Sequence, residues 1–233
     1  MHEPTDLRTA IQSTLPHSSV HSDRPPVEAP EPSRTAVYTW TAELISCGFP
    51  RVIADMVESP LAGETYFDDV RRAVHTDALI VYLFGTNGNG KTHMGSWLLS
   101  MWHLIGSRAY AEAAMDVRTL QYPPTCRWAS CNEITAALRN YSKRGFDFER
   151  ELAYYASFTC LMIDDLWPDR VTETDVASIV ELVEIRRNAR RRTVITSNHE
   201  ARALVGISRR LTDRLAEGIT VRFTGASHRT RKP

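Results

Sequence analysis

Apolar runs alternate with amphipathic stretches along most of the chain. The run Ala78–Phe84 is apolar throughout, which is typical of a strand that is covered on both faces. A second, mostly apolar run occupies Phe158–Ile163, and shorter strands are predicted at Cys126–Ala129, Thr193–Thr196 and Ile219–Phe223. The pattern therefore predicts five strands.

Helical patterns separate these predicted strands. One helix is expected from Thr92 to about Leu104, and Ser107–Pro124 fits a helical extension followed by a loop. Ser130–Glu133 is a capping-box sequence that precedes apolar residues spaced three and four apart. Further helices are predicted after the cap at Thr172–Asp175 and over Ile207–Leu215. Strands that alternate with helices predict an α/β fold, with a parallel five-stranded sheet flanked by helices.

The first 35 residues differ in composition from the rest of the chain. They hold six of the twelve prolines and few large apolar side chains. Such a segment buries too little apolar surface to offset its ordering entropy, so 1–35 is predicted to be a disordered Pro-rich tail. Residues 36–77 are expected to be helical or irregular, with a short helix that ends near Gly48. The apolar face of that helix would consist of Val37, Trp40, Leu44 and Cys47.

Composition is that of an ordinary globular protein. The 28 Lys and Arg residues balance 28 Asp and Glu residues, and 42% of the 233 residues are hydrophobic, which excludes collagen-like, coiled-coil and wholly disordered chains. The longest apolar run is far too short to span a bilayer. The N-terminus has acids and prolines where a signal peptide needs basic and then apolar residues. We therefore expect a soluble cytoplasmic protein with no membrane contact.

The four cysteines form no Cys-x-x-Cys pair. Cys126 and Cys131 are close in sequence, but no second pair of ligands follows at a spacing typical of zinc sites. We interpret Cys47, Cys126, Cys131 and Cys160 as free and mostly buried thiols in a reducing cytosol.

A glycine-rich segment after the first predicted strand fits the pattern G-x-x-x-x-G-K-[ST]. Its glycines permit a tight turn that brings backbone N–H groups close to phosphate oxygens, and the following helix points its positive dipole end at the same anion. In this pattern Lys91 reaches the β- and γ-phosphates, and the Thr92 hydroxyl binds Mg²⁺. The residues predicted to bind ATP or ADP are Gly85, Thr86, Asn87, Gly88, Asn89, Gly90, Lys91, Thr92 and His93.

Polar side chains follow two later strands. Asp164 and Asp165 end an apolar run, where Asp164 is well placed to hold Mg²⁺ together with Thr92. Asp165 is predicted to orient or deprotonate the attacking water. Asn198 follows the fourth strand and is predicted to hydrogen-bond the γ-phosphate or that water. Each residue taken alone also fits a cap or a turn, so these predictions depend on the phosphate loop that precedes them.

Arginines form two groups in the last third of the chain. Arg210 and Arg214 share one helix face, where an arginine presented to a neighbouring subunit's nucleotide would stabilise transition-state charge. A solvated basic face is the alternative. The denser cluster from Arg186 to Arg192 fits either favourable helix-dipole interactions or contacts with nucleic-acid phosphates.

The order of the motifs resembles one family of ATPases. The segment YLFGTNGNGKTH is followed by LMIDDL, VITSN, RRLTDRL and the final strand VRFTGASHR. Over about Cys47 to Arg229 this series is similar to the AAA+ ATPases of the DnaC-type helicase loaders and of the IstB-type transposition helpers. The resemblance implies Walker A at Gly85–Thr92, Walker B at Asp164 and Asp165, a sensor asparagine at Asn198, and a finger and sensor-2 pair at Arg210 and Arg214.

The resemblance also implies a function. The expected protein is a Mg²⁺-dependent ATPase that forms oligomers and loads a hexameric replicative helicase onto single-stranded DNA in a bacterial or phage-infected cell. The alternatives are an IstB-like ATPase that assists a DNA transposase, a non-hydrolysing adaptor and a small-molecule kinase. The helicase contact would fall on 36–77 and the ATPase domain on 78–233. The implied DNA contacts are Arg139, Tyr141, Lys143, Arg144 and Phe146.

Three features depart from the family pattern. Many AAA+ proteins have Glu where this chain has Asp165, which is one methylene shorter. The segment Ser107–Pro124 resembles an insertion before the second strand. The N-terminal region also lacks the Cys-rich zinc module that some loaders carry.

Overall fold

The computed structural model describes residues 40–56, 66–114, 125–143, 148–167 and 171–224. The predicted tail at 1–35 lies outside these residues. The described helices are α1 (Trp40–Ser46), α2 (Arg51–Met56), α3 (Phe67–Val74), α4 (Lys91–Ala114), α5 (Cys131–Lys143), α6 (Phe148–Ser157), α7 (Glu173–Asn188), a 3₁₀ helix (Ala201–Gly206) and α8 (Arg209–Ala216).

Five parallel strands form one sheet in the order β2–β3–β4–β1–β5. They are β1 (Ile80–Gly85), β2 (Cys126–Ser130), β3 (Cys160–Asp164), β4 (Arg192–Ser197) and β5 (Ile219–Phe223). Because all strands run in the same direction, the polar residues at the ends of β1, β3 and β4 meet at the carboxyl edge of the sheet. The predicted α/β fold with a parallel five-stranded sheet is confirmed.

Two apolar cores cover the two faces of the sheet. Side chains of β1 alternate between them, so that Tyr82 and Phe84 pack with α5 to α8, whereas Val81 and Leu83 pack with α1 to α4. Both faces are therefore buried, which explains why the sequence of β1 is apolar throughout. Among the described residues, no helix combines the length and the apolar composition needed to cross a membrane.

Several element bounds differ from the predicted ones. Helix α4 continues past Leu104, as expected for the proposed extension. Helix α6 was not predicted, because its buried side chains span little more than one turn. The last helix begins at Arg209 rather than Ile207, because the Ser208 hydroxyl accepts the N–H of Leu211 at 3.2 Å and caps the helix there.

The predicted capping box at Ser130–Glu133 and the predicted cap at Thr172–Asp175 have different outcomes. At the start of α7, Thr172 and Asp175 each accept the other's backbone N–H, so this box is complete. At the start of α5, the Ser130 hydroxyl accepts the N–H of Glu133 at 3.1 Å. The Glu133 carboxylate instead pairs with Arg127 at 2.7 Å, so only half of the predicted capping box forms.

Arg186 is fully buried at the amino edge of the sheet. Its guanidinium donates to five oxygens, namely Thr193 Oγ1 and the carbonyl oxygens of Tyr155, Ala156, Phe158 and Arg192. Burial lowers the pKa of Arg186 to about 9, which still leaves it charged at neutral pH. The side chain thus joins the end of α6 to the starts of β3 and β4.

The neighbouring arginines are also bound within the chain. Arg187 pairs with Glu217 at 2.5 Å, and Arg191 donates to the carbonyl oxygen of Ala156. Arg192 lies over the Trp102 ring, with 4.9 Å between its Cζ and the ring centroid. These contacts favour the structural interpretation of the cluster over contacts with nucleic acid.

Replacing Arg186 with Leu should lower the free energy of unfolding by at least about 3 kcal/mol, because five buried or partly buried acceptors lose their donor. Urea unfolding of the full chain, followed by circular dichroism, measures this change. The control is Arg187→Leu, which removes an exposed ion pair and should cost less than about 1 kcal/mol. Equal losses in the two variants would contradict the structural role of Arg186.

Candidate nucleotide-binding site

The ends of three strands form the floor of the site. β1 pairs with β4 up to Phe84 and Ser197, and β3 pairs with β4 up to Ile163 and Ile195. β4 lies between the other two strands. The loop after β1 and the carboxylate at the end of β3 therefore emerge on either side of the end of β4.

The loop after β1 is shaped by its glycines. Gly85, Gly88 and Gly90 have φ values of +149°, +81° and +92°, which favour glycine. A Cβ at Gly85 would lie 2.2 Å from the carbonyl oxygen of Phe223, so a larger residue does not fit. Asn89 Nδ2 donates to the same carbonyl at 2.9 Å. The end of β5 therefore supports the loop.

Lys91 is the first residue of α4, and its side chain is buried. Its Nζ donates to the carbonyl oxygens of Gly85 at 2.8 Å and Thr86 at 2.7 Å. An anion in the loop would offer the same ammonium charged oxygens, which bind it more strongly than neutral carbonyls. Of the other predicted nucleotide ligands, Thr86 and Asn87 are exposed and His93 is buried.

A buried carboxylate lies beside the start of α4. Asp164 Oδ1 accepts a hydrogen bond from Thr92 Oγ1 at 3.0 Å and another from Thr196 Oγ1 at 2.6 Å. Burial raises the pKa of Asp164 above its ordinary value, and the two hydroxyls offset only part of that effect. These side-chain partners are neutral, so a cation at this position would stabilise the ionised carboxylate.

The exposed Asp165 and the half-buried Asn198 form a pair next to that carboxylate. Asp165 has φ +54°, and its backbone N–H donates to Thr196 Oγ1 at 2.9 Å. This turn leaves Asp164 buried and Asp165 exposed. Asn198 Nδ2 lies 3.4 Å from Asp165 Oδ1. A carboxylate beside an amide can hold a water molecule by accepting one of its protons and donating to its oxygen.

The residues present fit a Mg²⁺ ion. Thr92 and Asp164 already hold a hydroxyl and a carboxylate oxygen 3.0 Å apart. Hard oxygen donors of this kind, one carboxylate with substrate phosphates, are the ligands that Mg²⁺ takes in phosphoryl-transfer sites. Thr92 and Asp164 would hold the ion here.

Three solved structures are similar to this chain in fold. A structure of the replication initiator DnaA, bound to AMPPCP and single-stranded DNA, has a TM-score of 0.56 at 19% identity over 73% of this chain and 50% of that chain. A DnaI structure has a TM-score of 0.56 at 16% identity over 76% and 95%, respectively. A DnaC helicase loader structure has a TM-score of 0.50 at 18% identity over 67% of this chain and 86% of that chain.

The chain thus spans about half the length of the DnaA structure that it matches. No protein-family model and no curated protein sequence matches the chain. The sheet order, the loop and the three structures together decide the fold. The chain has the AAA+ fold.

The two arginines predicted to act in the AAA+ site lie on α8 and are paired within the chain. Arg210 donates to both carboxylate oxygens of Glu184, and its side chain is 67% exposed. Arg214 Nε lies 3.5 Å from the same carboxylate, and its Nη1 donates to Glu217. These partners belong to α7 and to the end of α8, not to the phosphate loop.

The residues implied to contact DNA are only partly described. Arg139 Nε lies 3.2 Å from Asp175 Oδ1 and donates to the carbonyl oxygen of Thr135 at 3.3 Å. Tyr141 and Lys143 belong to the last turn of α5, which follows β2 as the AAA+ resemblance implies. Arg144 and Phe146 lie outside the described residues.

Two contributions to the site were not found in the sequence. The sequence pattern predicts Thr196 only as a strand residue, whereas it binds both Asp164 and the backbone of Asp165. The loop motif predicts that Asn89 contacts the nucleotide, whereas its side chain binds the end of β5 at Phe223. The strand sequence TVITS offered a signal for Thr196, because polar residues at its end are unusual for a fully buried strand.

Replacing Asp164 with Asn should raise the Tm of the nucleotide-free protein at pH 7. A carboxyl group whose folded pKa lies above its ordinary value of 3.8 destabilises the fold once pH exceeds that raised pKa. Asn keeps an Oδ1 acceptor for both hydroxyls and removes the buried charge. Thermal unfolding monitored by calorimetry measures the change.

The gain should shrink as pH falls from the raised pKa towards 3.8 and disappear below 3.8, where the wild-type carboxyl is protonated in both states. Asp165→Asn is the matched control, because its side chain is exposed and should shift Tm little. A Tm for Asp164→Asn at or below the wild-type value at pH 7 would show that Asp164 carries no burial penalty.

Proposed function

We propose that this protein is an ATPase that loads a hexameric replicative helicase onto single-stranded DNA. One observation carries the proposal: a lysine, a threonine hydroxyl, two carboxylates and an amide converge at the carboxyl edge of a sheet with the AAA+ fold. Among the similar structures, DnaI and the DnaC helicase loader are covered over 95% and 86% of their lengths, which supports a loader over other AAA+ functions.

Each side chain has a task in ATP hydrolysis. Lys91 binds the β- and γ-phosphate oxygens, and the loop N–H groups bind the phosphates from the other side. When bound to Thr92 and Asp164, Mg²⁺ neutralises charge on the phosphates. Asp165 accepts a proton or hydrogen bond from the attacking water, while Asn198 fixes that water or the γ-phosphate. The shorter side chain of Asp165 holds the water less closely than Glu would, so hydrolysis by the isolated chain is slow.

An arginine from a neighbouring subunit completes the site in this proposal. Arg210 is exposed on α8, where Glu184 balances its charge. On oligomerisation the arginine exchanges this carboxylate for the neighbour's γ-phosphate, which carries more charge. Hydrolysis therefore depends on assembly, and Arg214, which shares Glu184, assists in the same exchange.

The partners bind at other surfaces. Residues 36–77, which include α1 to α3, are the proposed helicase contact. Single-stranded DNA binds at the end of α5, through Arg139, Tyr141, Lys143, Arg144 and Phe146. Because the net charge of the chain is zero, this binding depends on local charge and weakens with salt.

Replacing Lys91 with Ala should abolish ATP binding and lower ATP turnover by at least about 100-fold, because a buried charge that stabilises the transition state is lost. Equilibrium dialysis with ATP and Mg²⁺ measures binding, and phosphate release measures turnover. Arg71→Ala, which removes an exposed cation on α3, is the control. Normal ATP binding and hydrolysis in Lys91→Ala would refute the ATPase.

The same variant tests the partner. Immobilised wild-type protein should retain a hexameric helicase in the presence of ATP and single-stranded DNA, and Lys91→Ala should not. Retention of a DDE transposase instead of the helicase would support the transposition helper.

Combining two inactive variants tests the shared site. Lys91→Ala lacks its own nucleotide but still presents arginines, whereas the double variant Arg210→Ala/Arg214→Ala binds nucleotide but presents none. Each should be inactive alone, and their mixture should regain hydrolysis. Arg209→Ala, on the same helix and exposed, should hydrolyse ATP like wild type. Full activity of the double variant alone would rule out completion by either arginine.

A further inference from the structure

Three metal-ligating side chains meet at the amino edge of the sheet, opposite the phosphate loop. Cys126 is the first residue of β2, whereas Asp164 is the last residue of β3. The Sγ atoms of Cys47 and Cys126 and a ring nitrogen of His103 all lie within 4.8 Å of one another. Cys126 and His103 are buried and Cys47 is half-buried, so the cluster has a route for an ion to enter.

Two of the three ligands are held together by backbone contacts. Cys47 follows α1, and its carbonyl oxygen accepts the N–H of Trp128 in β2 at 3.0 Å. Gly48 has φ +89°, and a Cβ there would lie 2.8 Å from the carbonyl oxygen of Trp128. Only glycine lets the chain pass this close to β2. Cys47 is therefore fixed against the strand that carries Cys126.

Helix α4 supplies the third ligand, and α1 supplies a group that orients it. His103 Nε2 lies 2.8 Å from Glu43 Oε1. When the Nε2–H donates to this carboxylate, Nδ1 keeps the lone pair that can bind a metal ion. A carboxylate behind the imidazole fixes the ring and raises its basicity, as is usual for histidines that bind metals.

We propose that Cys47, His103 and Cys126 bind a Zn²⁺ ion. Thiolates and imidazole are the ligands that Zn²⁺ prefers, whereas Mg²⁺ and Ca²⁺ take oxygen. In a tetrahedral zinc site the donor atoms lie about 3.5–3.8 Å apart, and these donor atoms lie within 4.8 Å of one another, so the side chains close by at most about 1 Å on binding. Solvent takes the fourth position, because Glu43 is hydrogen-bonded to the imidazole.

A disulfide between Cys47 and Cys126 is the competing use of the same sulfurs. Both are free thiols in the structure. A disulfide would use neither the imidazole nor its carboxylate. A metal ion would bind both sulfurs and the imidazole, and the carboxylate would orient the imidazole. The proposed ion would tie the N-terminal helical segment to α4 and to the edge strand β2.

The test is metal binding by the full chain, purified with a non-thiol reductant. We expect one Zn²⁺ per chain by atomic emission. Co²⁺ added to the metal-free chain should produce thiolate-to-metal charge-transfer absorption, and Zn²⁺ should raise the Tm of that chain. Less than one Zn²⁺ per chain together with the absence of a charge-transfer band would overturn the proposal. A disulfide between Cys47 and Cys126 that persists when metal is added would also overturn it.

Cys47→Ser is the main variant, because this half-buried position tolerates the change best. It should lose the bound Zn²⁺ and the Tm shift. Cys131→Ser removes a buried thiol outside the cluster and should keep both. Full Zn²⁺ content and an unchanged Co²⁺ spectrum in Cys47→Ser would overturn the proposal. Lys91→Ala should bind Zn²⁺ like wild type, so failure of the zinc site and failure of the ATPase are distinguishable.

Discussion

The Thr92 hydroxyl and the Asp164 carboxylate meet at 3.0 Å although 72 residues separate them along the chain. Their contact requires α4 to begin directly after β1 and β3 to run parallel to β1 with only β4 between them. Thr196, at the end of β4, donates to the same carboxylate oxygen from the strand in between. A register shift of one residue in β4 would turn this hydroxyl to the other face of the sheet. The geometry of the site therefore depends on both the sheet order and the strand register.

The sequence predicts those parts of the fold whose requirements are local. β1 is an apolar run because both of its faces are covered, and the glycines of the loop are needed where φ is positive or where β5 approaches. Helix α6 escaped prediction because its three buried side chains, Leu152, Tyr155 and Ala156, lie within five residues. The role of Arg186 was not predicted either, because three of its acceptors lie at the end of this unpredicted helix or just after it.

The buried charges at the two edges of the sheet have opposite hydrogen-bonding environments. At the amino edge, Arg186 directs its donors at five oxygens of its own chain, so its charge is satisfied without a ligand. At the carboxyl edge, Asp164 receives both side-chain hydrogen bonds on one oxygen, and burial still raises its pKa. The hydrogen bonds of Arg186 therefore stabilise the fold without a ligand, whereas the environment of Asp164 favours the binding of a cation. Composition alone shows equal numbers of acids and bases and does not distinguish these environments.

Helix α4 connects the two proposed sites mechanically. It begins at Lys91 in the phosphate loop and carries His103 twelve residues later, about 18 Å along the helix axis. Leu98, Leu99 and Trp102 on this helix pack in the same core as β1 and α1, so the helix moves as part of that layer. A zinc ion that joins His103 to Cys47 and Cys126 would fix the far end of α4 against the N-terminal segment and the edge strand. Any shift that nucleotide imposes at Lys91 would then reach 36–77 through one rigid element rather than through a chain of side-chain contacts.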